Sequence, residues 1–276
     1  MITIKAPAKI NLGLRITGKL PNGFHSIHSI FVPIQGLCDT ITLQESESME
    51  CITDSELGIA KEQNLVYKAA LSIKEYAYIK SNVSITLKKN IPTGAGLGGG
   101  SSDAASTLIA LRTFWNLDIS DSALETLALS LGSDVPFFLK HQIALVEGQG
   151  ETITRLPYQL SGYLLLIFPT IHINTAWAYS LIQNQFSQDF EHFEKLLPQY
   201  LQGSLPGNVF ENDFEQFIFK EYPELATIKN SLFTHGADIA LMSGSGSTMY
   251  GIFNNKKDAM QAANSLKNYK QLLTEL

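Results

Sequence analysis

A glycine-rich segment in the first half of the chain constrains the fold more than any other part of the sequence. The run from Gly94 to Gly100 holds five glycines in seven residues, and Ser101 and Ser102 follow it. The alternating apolar and polar residues of 83–88 are typical of a strand, and 104–111 has the pattern of a helix. The sequence therefore predicts a glycine loop that leads from a strand into the N-terminus of a helix.

A loop of this kind suits an anionic phosphate. The first N–H groups of a helix have no partner within the helix, and the helix dipole is positive at that end. Glycines adopt positive φ at no steric cost and let the backbone approach a ligand. The hydroxyls of Ser101 and Ser102 can bind phosphate oxygens or a Mg²⁺ ion. A flexible glycine turn is the competing interpretation, and the serines and the helix that follow disfavour it.

Several known phosphate loops do not fit. A Walker A loop needs Lys after its last glycine, where this chain has Ser101. Gly94, Gly96 and Gly99 formally match G-x-G-x-x-G, but more than 80 residues precede them, whereas a dinucleotide fold begins with this loop. The H-R-D and D-F-G triplets of protein kinases are absent from the sequence.

Composition narrows the class of protein. With 276 residues, of which 45% are hydrophobic, the chain can form two domains with their own cores. A net charge of −6 argues against nucleic-acid binding, which uses a broad basic surface. Cys38 and Cys51 form no C-x-x-C pair, which fits a reducing compartment without a zinc site. No leader peptide and no apolar run of membrane length are recognisable, so we expect a cytoplasmic protein with no membrane contact.

The N-terminal segment 2–16 has the period of a long strand. This period places Lys9 and Asn11 on one face, opposite an apolar row. A solvated strand face and a shared polar site are equally compatible with this spacing.

The rest of the chain alternates between strands and helices. Strands are expected at 30–33, 39–44, 143–147, 151–156, 162–168, 237–242, 248–253 and 271–276. Helices are expected at 64–78, 120–131, 175–183, 189–200, 224–234 and 256–268, and the acidic segment 45–54 is expected to be a connection. The strands and helices after residue 162 indicate an α+β sandwich of ferredoxin-like type.

Several polar positions have two interpretations. His25, after a turn and next to Phe24, is either an ordinary loop histidine or a partner for a base. A metal site at His25 and His28 is disfavoured because no carboxylate-rich set accompanies them. Asn64 is most simply a helix N-cap, although a ligand contact is compatible with it. Asp134 is either the N-cap of a short helix or a proton acceptor.

Three segments together resemble the motifs of GHMP kinases. They are Pro7–Leu12, Pro92–Ser102 and Met242–Ser247, the last of which is either a second phosphate-facing turn or a plain hairpin turn. Four shorter segments resemble the members that act on a cytidine diphosphate derivative: 23–26, 132–136, 148–151 and 212–215. The resemblance covers essentially the whole chain.

The resemblance implies an α+β, two-domain GHMP kinase fold. The N-terminal domain, residues 1–158, would be a ribosomal-protein-S5-domain-2-like α/β domain, and residues 159–276 would form a ferredoxin-like domain. It also implies ATP-dependent, Mg²⁺-assisted phosphorylation of a tertiary alcohol on a small cytidine diphosphate derivative. We expect no nucleic acid partner, and a monomer or weak homodimer.

The resemblance also assigns roles to individual residues. Lys9 and Asp134 match the catalytic pair, and Ser102 is the candidate metal ligand. The ATP side comprises Asn64, Lys89, Pro92, Thr93, Gly94, Ala95, Gly96, Leu97, Gly98, Gly99, Gly100, Ser101, Ser102 and Asp103. The substrate side comprises Asn11, Phe24, His25, Thr175 and Tyr179, of which Phe24 and Tyr179 would stack on the cytosine. The family often has Tyr where this chain has Phe24, which preserves stacking but removes a hydroxyl.

Three other functions remain as alternatives. Another GHMP kinase, for homoserine or mevalonate, would have no base for Phe24 and Tyr179 to stack on. A nucleotide-binding sensor without activity would need neither Lys9 nor Asp134. A dinucleotide-binding oxidoreductase conflicts with the late position of the glycine loop.

Overall fold

The computed structural model of the chain describes residues 1–54, 60–182, 186–187 and 189–276. The strands in these residues are β1 (Ile2–Lys19), β2 (His25–Ser46), β3 (Glu50–Thr53), β4 (Asn82–Lys88), β5 (Ala144–Gly148), β6 (Thr152–Arg155), β7 (Tyr163–Phe168), β8 (Ile239–Met242), β9 (Met249–Phe253) and β10 (Lys270–Glu275). The α-helices are α1 (Leu65–Tyr76), α2 (Gly99–Phe114), α3 (Asp121–Leu131), α4 (Thr175–Ser180), α5 (Phe193–Leu201), α6 (Glu215–Glu221), α7 (Pro223–Thr234) and α8 (Lys256–Ser265). Short 3₁₀ helices occur at Lys61–Gln63, Val135–Leu139 and Gly207–Val209.

The chain forms two compact units, and each is assembled from separate stretches of sequence. The first unit comprises Met1–Ala8, Pro33–Thr93 and Gly98–His141, and the second comprises Lys9–Val32, Gly94–Leu97 and Gln142–Leu276. Strands β1 and β2 each contribute residues to both units. The domain boundary between residues 158 and 159 stays a prediction.

The first unit combines a small sheet with three helices. Strand β4 pairs antiparallel with Thr40–Ser46 of β2 and parallel with β3. Helices α1, α2 and α3 pack on one another. Asn64 and Ser120 accept hydrogen bonds from the first turns of α1 and α3, as N-cap residues do. Helix α2 is mostly buried and carries small residues such as Ala104 and Ala105, which let neighbouring elements approach it closely.

The second unit contains a four-stranded antiparallel sheet in the order β10-β7-β9-β8. Numbered along this part of the chain, the order is 4-1-3-2, and α7 and α8 pack against the sheet. The predicted ferredoxin-like sandwich is therefore confirmed. In the same unit, Ile27–Phe31 of β2 pairs with β5, which forms a hairpin with β6.

The structure corrects five predicted elements. The strands expected at 30–33 and 39–44 belong to one continuous strand, β2, which begins at His25. The connection expected at 45–54 contains β3, a polar strand on the outside of the sheet order, where alternate side chains can face water. The helix expected at 189–200 begins only at Phe193. The helix expected at 175–183 ends at Ser180, and residue 183 lies outside the described residues.

Asn212 joins β1 to the turn after β8. Its Nδ2 donates to the carbonyl oxygens of Met242 at 2.7 Å and Gly244 at 2.8 Å, and its Oδ1 accepts from the Phe214 amide at 3.0 Å. The adjoining Glu211 carbonyl accepts from the Leu14 amide at 2.7 Å. Asn212 is 4% exposed, so these groups have little access to water.

We predict that Asn212→Ala lowers the free energy of unfolding by about 2–4 kcal/mol, because three buried polar groups lose their partner. Urea denaturation of the full chain measures this loss. Ser120→Ala is the matched control, since it removes an exposed helix cap and costs about 1 kcal/mol. An Asn212→Ala loss no larger than the control loss would contradict the bracing role of Asn212.

Candidate active site

Lys9 and Asn11 lie on the same face of β1, in a buried chain of hydrogen bonds. Lys9 Nζ donates to Asn11 Oδ1 at 2.6 Å, Asn11 Nδ2 donates to Ser29 Oγ at 3.0 Å, and Ser29 Oγ donates to the Gly13 carbonyl at 2.6 Å. Lys9 is 4% exposed and Asn11 is 1% exposed. Lys9 Nζ also lies 4.4 Å from the centroid of the Phe31 ring. The solvated-face interpretation is wrong, and the shared polar site is confirmed.

The three motif segments meet within the second unit. The Lys9 amide donates to the Leu97 carbonyl at 3.0 Å, and Ser243 Oγ donates to the Gly96 carbonyl at 2.9 Å. Gly96 has a φ of +77°, and a Cβ added there would lie 1.9 Å from the Ser243 carbonyl oxygen. Only glycine can occupy this position, because both the backbone angle and the space exclude a side chain.

The turn at residues 243–247 joins the antiparallel strands β8 and β9, so it is a hairpin turn. It also packs on the glycine loop through Ser243. That the turn at residues 243–247 also faces a phosphate stays a prediction.

The part of the glycine loop in the first unit forms the start of α2. Gly98 occupies the N-cap with a φ of +68°, and it has no side chain that could accept from the first turn of the helix. The N–H groups of this turn are therefore available for an anion.

Ser102, in that first turn, is fully buried. Its Oγ has no hydrogen-bond partner among the described residues. A buried hydroxyl of this kind is a hard oxygen donor, which fits a Mg²⁺ ion held together with phosphate oxygens.

Lys89 lies beneath the start of α2 and is held by two carboxylates. Its Nζ contacts Asp39, and it lies 2.7 Å from Asp103 Oδ2. A Cβ added at Gly99 would lie 3.4 Å from Lys89 Nζ. The role of Lys89 on the ATP side, which the resemblance implies, stays a prediction. Two acidic groups share its charge.

The surroundings of this ion pair shift both pKa values. Burial raises the pKa of Asp103 to about 7, against the opposing effect of Lys89 and with a further contribution from Asp39. Burial works to lower the pKa of Lys89, but Asp103 and Asp39 together outweigh it, and the pKa is raised. The cluster therefore changes charge through Asp103 near neutral pH.

The two candidate N-caps differ. Asn64 Oδ1 accepts from the Val66 amide at 2.9 Å, so its predicted role as a cap is confirmed. Asp134 occupies the N-cap position of the 3₁₀ helix Val135–Leu139, but its carboxylate makes no capping hydrogen bond. Asp134 is half-buried, and the four residues after it are buried. Its role as a proton acceptor stays a prediction.

The substrate-side residues Thr175, Tyr179 and His25 lie in the second unit. The His25 and Tyr179 rings are stacked, with centroids 4.8 Å apart and an interplanar angle of 15°, and Phe214 meets Tyr179 edge-on at 4.9 Å. Thr175 Oγ1 lies 3.1 Å from Ser245 Oγ. The Phe24 ring is 63% exposed.

The surroundings of His25 favour its neutral form. Burial, with a smaller effect of Lys19, lowers its pKa. A neutral imidazole has one donor and one acceptor nitrogen, which is suited to the edge of a base.

The sequence analysis missed Ser29 and misjudged His28. Ser29 becomes visible as a partner of Asn11 only when β1 and β2 are side by side. No carboxylate-rich set was expected beside His25 and His28, but Glu147 and Glu194 both lie 3.2 Å from ring nitrogens of His28. Glu147 is opposite His28 in the pairing of β2 with β5, and only that register reveals it.

Comparison with known proteins identifies the family. Two family models match: "GHMP kinases N terminal domain" over residues 64–142 and "GHMP kinases C terminal" over residues 181–271. A 4-diphosphocytidyl-2-C-methyl-D-erythritol kinase from Thermodesulfovibrio yellowstonii is 41% identical over 275 residues, covering 98% of this chain and 95% of the relative. One from Prosthecochloris aestuarii is 39% identical over 268 residues, covering 96% of this chain and 93% of the relative.

The chain belongs to the family of 4-diphosphocytidyl-2-C-methyl-D-erythritol kinases, within the GHMP kinases.

Solved structures agree with this assignment. A crystal structure of a 4-(cytidine 5'-diphospho)-2C-methyl-D-erythritol kinase matches with a TM-score of 0.86 and 33% identity, covering 99% of this chain and 98% of that one. A homoserine kinase from Cytophaga hutchinsonii matches with a TM-score of 0.75 at 16% identity, covering 99% of this chain and 93% of that one, and shows the fold alone. The expected two-domain GHMP kinase fold is confirmed, and so is membership of a family of ATP-dependent enzymes.

Within the described part of the chain, none of the helices combines the length and the apolar character needed to cross a bilayer.

For this family member, we predict that Asp103 gives stability a pH dependence of its own. Because its pKa is raised, Asp103 keeps its proton to a higher pH in the folded chain than in the unfolded chain. Binding of this proton therefore stabilises the folded chain at low pH, and the stabilisation is lost as the pH rises towards about 7. The free energy of unfolding of the unmodified chain, minus that of Asp103→Asn, should therefore fall between about pH 5 and about pH 7. Urea denaturation of both proteins across this range measures the difference.

Asp121→Asn is the control for this experiment. The hydrogen bond from Arg112 lowers the pKa of Asp121, so its contribution is lost only as the pH falls below about 4, and the difference for Asp121→Asn should stay constant between about pH 5 and about pH 7. A difference for Asp103→Asn that stays constant or rises with pH would refute the assignment.

Proposed function

We propose that this chain transfers the γ-phosphoryl group of ATP to the 2-hydroxyl of 4-diphosphocytidyl-2-C-methyl-D-erythritol, giving the 2-phosphate and ADP, in the non-mevalonate isoprenoid pathway. The observation that carries the proposal is the meeting of three motif segments through Lys9, Gly96 and Ser243, in a chain whose relatives bear this activity in their names. The enzyme would act in the cytoplasm, on small molecules only, as a monomer or weak homodimer.

The phosphates of ATP would bind the glycine loop and the first turn of α2. Phosphoryl transfer leaves little covalent work for the protein, so positioning and charge neutralisation carry the catalysis. The open N–H groups after Gly98 supply donors for phosphate oxygens. Ser102 would hold a Mg²⁺ ion, which supplies charge neutralisation at the phosphates when bound.

Asp134 would accept the proton of the substrate hydroxyl. As the hydroxyl oxygen forms its bond to the γ-phosphorus, the bond from this phosphorus to the β–γ bridging oxygen breaks and ADP leaves. An alcohol is a weak nucleophile, so a carboxylate that takes its proton lowers the barrier. The carboxylate of Asp134 makes no capping hydrogen bond to the helix that follows, which supports this use.

Lys9 would stabilise the negative charge that develops on the transferred phosphoryl oxygens. Its ammonium is fixed by Asn11, and Asn11 is fixed in turn by Ser29. Asn11 is neutral, and its amide oxygen orients the ammonium. Lys9, Asn11 and Ser29 are buried, where the local dielectric constant is lower than in water. The charge of the Lys9 ammonium therefore acts more strongly on a phosphoryl group than it would in water.

The cytosine would be bound by aromatic stacking. Tyr179 is held by His25 and Phe214, so its orientation is fixed before substrate arrives, which reduces the entropy lost on binding. The exposed Phe24 ring is free to cover a base, and neutral His25 can donate to or accept from its edge. Asn11 and Thr175 would contact other parts of the substrate.

We predict rapid ADP release with Mg²⁺-ATP and 4-diphosphocytidyl-2-C-methyl-D-erythritol, and little with homoserine, mevalonate or galactose. Asp134→Asn should reduce kcat by about 10²–10⁴-fold, the usual effect of removing a general base. A coupled assay of ADP with the purified full chain measures both quantities.

Asp118→Asn, the same change at an exposed position of the first unit, should leave kcat unchanged. If Asp134→Asn stays within about threefold of the unmodified chain, it is not the base. Turnover of another acceptor in the panel would replace the proposed substrate, and ATP binding without any turnover would favour the sensor alternative.

Tyr179→Ala should raise KM for the cytidine substrate about tenfold or more and change kcat less, because stacking on a base contributes about 1–3 kcal/mol. Steady-state kinetics with saturating ATP measures the two constants separately. Tyr76→Ala, which removes an exposed Tyr from α1, is the control and should change neither. A loss of kcat at unchanged KM would argue against stacking.

A further inference from the structure

A second group of ligand-type side chains lies in the second unit, around His28. We call it the His28 cluster: His28, Glu147, His192 and Glu194. His28 Nδ1 lies 3.2 Å from Glu147 Oε1, and His28 Nε2 lies 3.2 Å from Glu194 Oε2. His192 Nδ1 lies 3.3 Å from Glu194 Oε1. Nothing in the proposed phosphoryl transfer uses this cluster.

The hydrogen bonds of His28 leave no proton between its Nε2 and Glu194 Oε2, which lie 3.2 Å apart. The Phe193 amide donates to His28 Nε2 at 3.2 Å, so this nitrogen is an acceptor and Nδ1 carries the proton towards Glu147. Nε2 and Glu194 Oε2 then have no proton between them, and the buried Oε2 has no hydrogen-bond partner among the described residues.

We propose that the His28 cluster is a Zn²⁺ site, with His28 Nε2, His192 and Glu194 as ligands. A cation between the lone pair and the carboxylate replaces a repulsive contact with two attractive ones. Zn²⁺ bonds of about 2.0–2.1 Å place tetrahedral ligands about 3.3 Å apart. Glu194 lies 3.2 Å from His28 Nε2 through its Oε2 and 3.3 Å from His192 Nδ1 through its Oε1, so each histidine is near this distance from one of the two carboxylate oxygens. One ligand atom from each of the three residues lies within 4.8 Å of the others.

Glu147 completes the site as an outer partner. A metal-binding histidine usually donates its other ring N–H to a carboxylate, which fixes the tautomer and the orientation of the ring. Glu147 stands in this position opposite His28. The Phe193 amide competes for the same lone pair, and its distance of 3.2 Å is at the long end of the hydrogen-bond range, so an ion can displace it.

The surroundings allow an ion to enter and then hold its ligands. The His192 side chain is 48% exposed, whereas His28 is buried. Phe190 stacks on His192 at 5.1 Å and meets His28 at 5.1 Å, so one apolar ring restrains both imidazoles. A fourth position remains for water.

Two nitrogen ligands select Zn²⁺ over the Mg²⁺ of the kinase reaction, because Mg²⁺ prefers oxygen ligands. The bound ion would connect β2, at His28, to the start of α5. His28 lies three residues after His25 in β2. We therefore expect it to stabilise the second unit rather than to take part in phosphoryl transfer.

The test is a metal titration of the chelator-treated full chain without ATP or acceptor. We expect one Zn²⁺ per chain by calorimetry, a visible Co²⁺ spectrum of four-coordinate intensity, and a higher Tm with Zn²⁺. His192→Ala should weaken binding at least tenfold, and Glu147→Gln by about 10–100-fold. His235→Ala, which removes a histidine from the end of α7, is the matched control and should bind as the unmodified chain does. Millimolar Mg²⁺ should not displace the Co²⁺.

Three outcomes would overturn the proposal: no stoichiometric binding, equal binding in His192→Ala, or an equal loss in His235→Ala. Circular dichroism of each variant confirms that it is folded, and the exposure of His192 makes its replacement compatible with folding. Because no substrate is present, the result is independent of whether the proposed kinase activity is found.

Discussion

The contact between Gly96 and the carbonyl of Ser243 is the constraint on which the candidate site depends. At 1.9 Å from that oxygen, even a methyl group has no room, so two backbone segments 147 residues apart touch directly. The Lys9 amide holds the same loop from the other side through Leu97. The glycines thus have two roles: they expose N–H groups at the start of α2, and they allow the loop to be clamped by the rest of its unit.

Local patterns in the sequence were sufficient for the main elements. The glycine loop entering α2, the common face of Lys9 and Asn11, and the Asn64 cap each depend on residues a few positions apart. Each has a physical cause that acts over the same short range: the freedom of glycine to adopt positive φ, the two-residue period of a strand, and the side-chain acceptor at a helix N-cap. The ferredoxin-like order followed from counting strands and helices, because few arrangements of four strands and their helices bury an apolar face.

The rest could not be read from the sequence because it depends on pairing between distant segments. Asp39, 50 residues before Lys89, contacts its ammonium, and only the fold brings the two together. Glu147 faces His28 only in the register of β5 on β2. Strand β2 extends beyond the two predicted strands because both of its ends are paired. Ile27–Phe31 pairs with β5, and Thr40–Ser46 pairs with β4. These are tertiary effects, which outweigh local propensity where backbone groups are paired.

The discontinuous make-up of the two units has a consequence for how the chain is synthesised. Residues 9–32 are synthesised early, but they belong to the unit that also contains residues 142–276. The strand segments that carry Lys9 and His28 therefore cannot complete their unit until more than a hundred further residues have been made. Non-local pairing of this kind slows folding and leaves apolar strands exposed meanwhile. A fragment cut between the two sequence halves would lack essential segments of one unit or the other. The early strands of the second unit are therefore expected to need protection until residues 142–276 have been made.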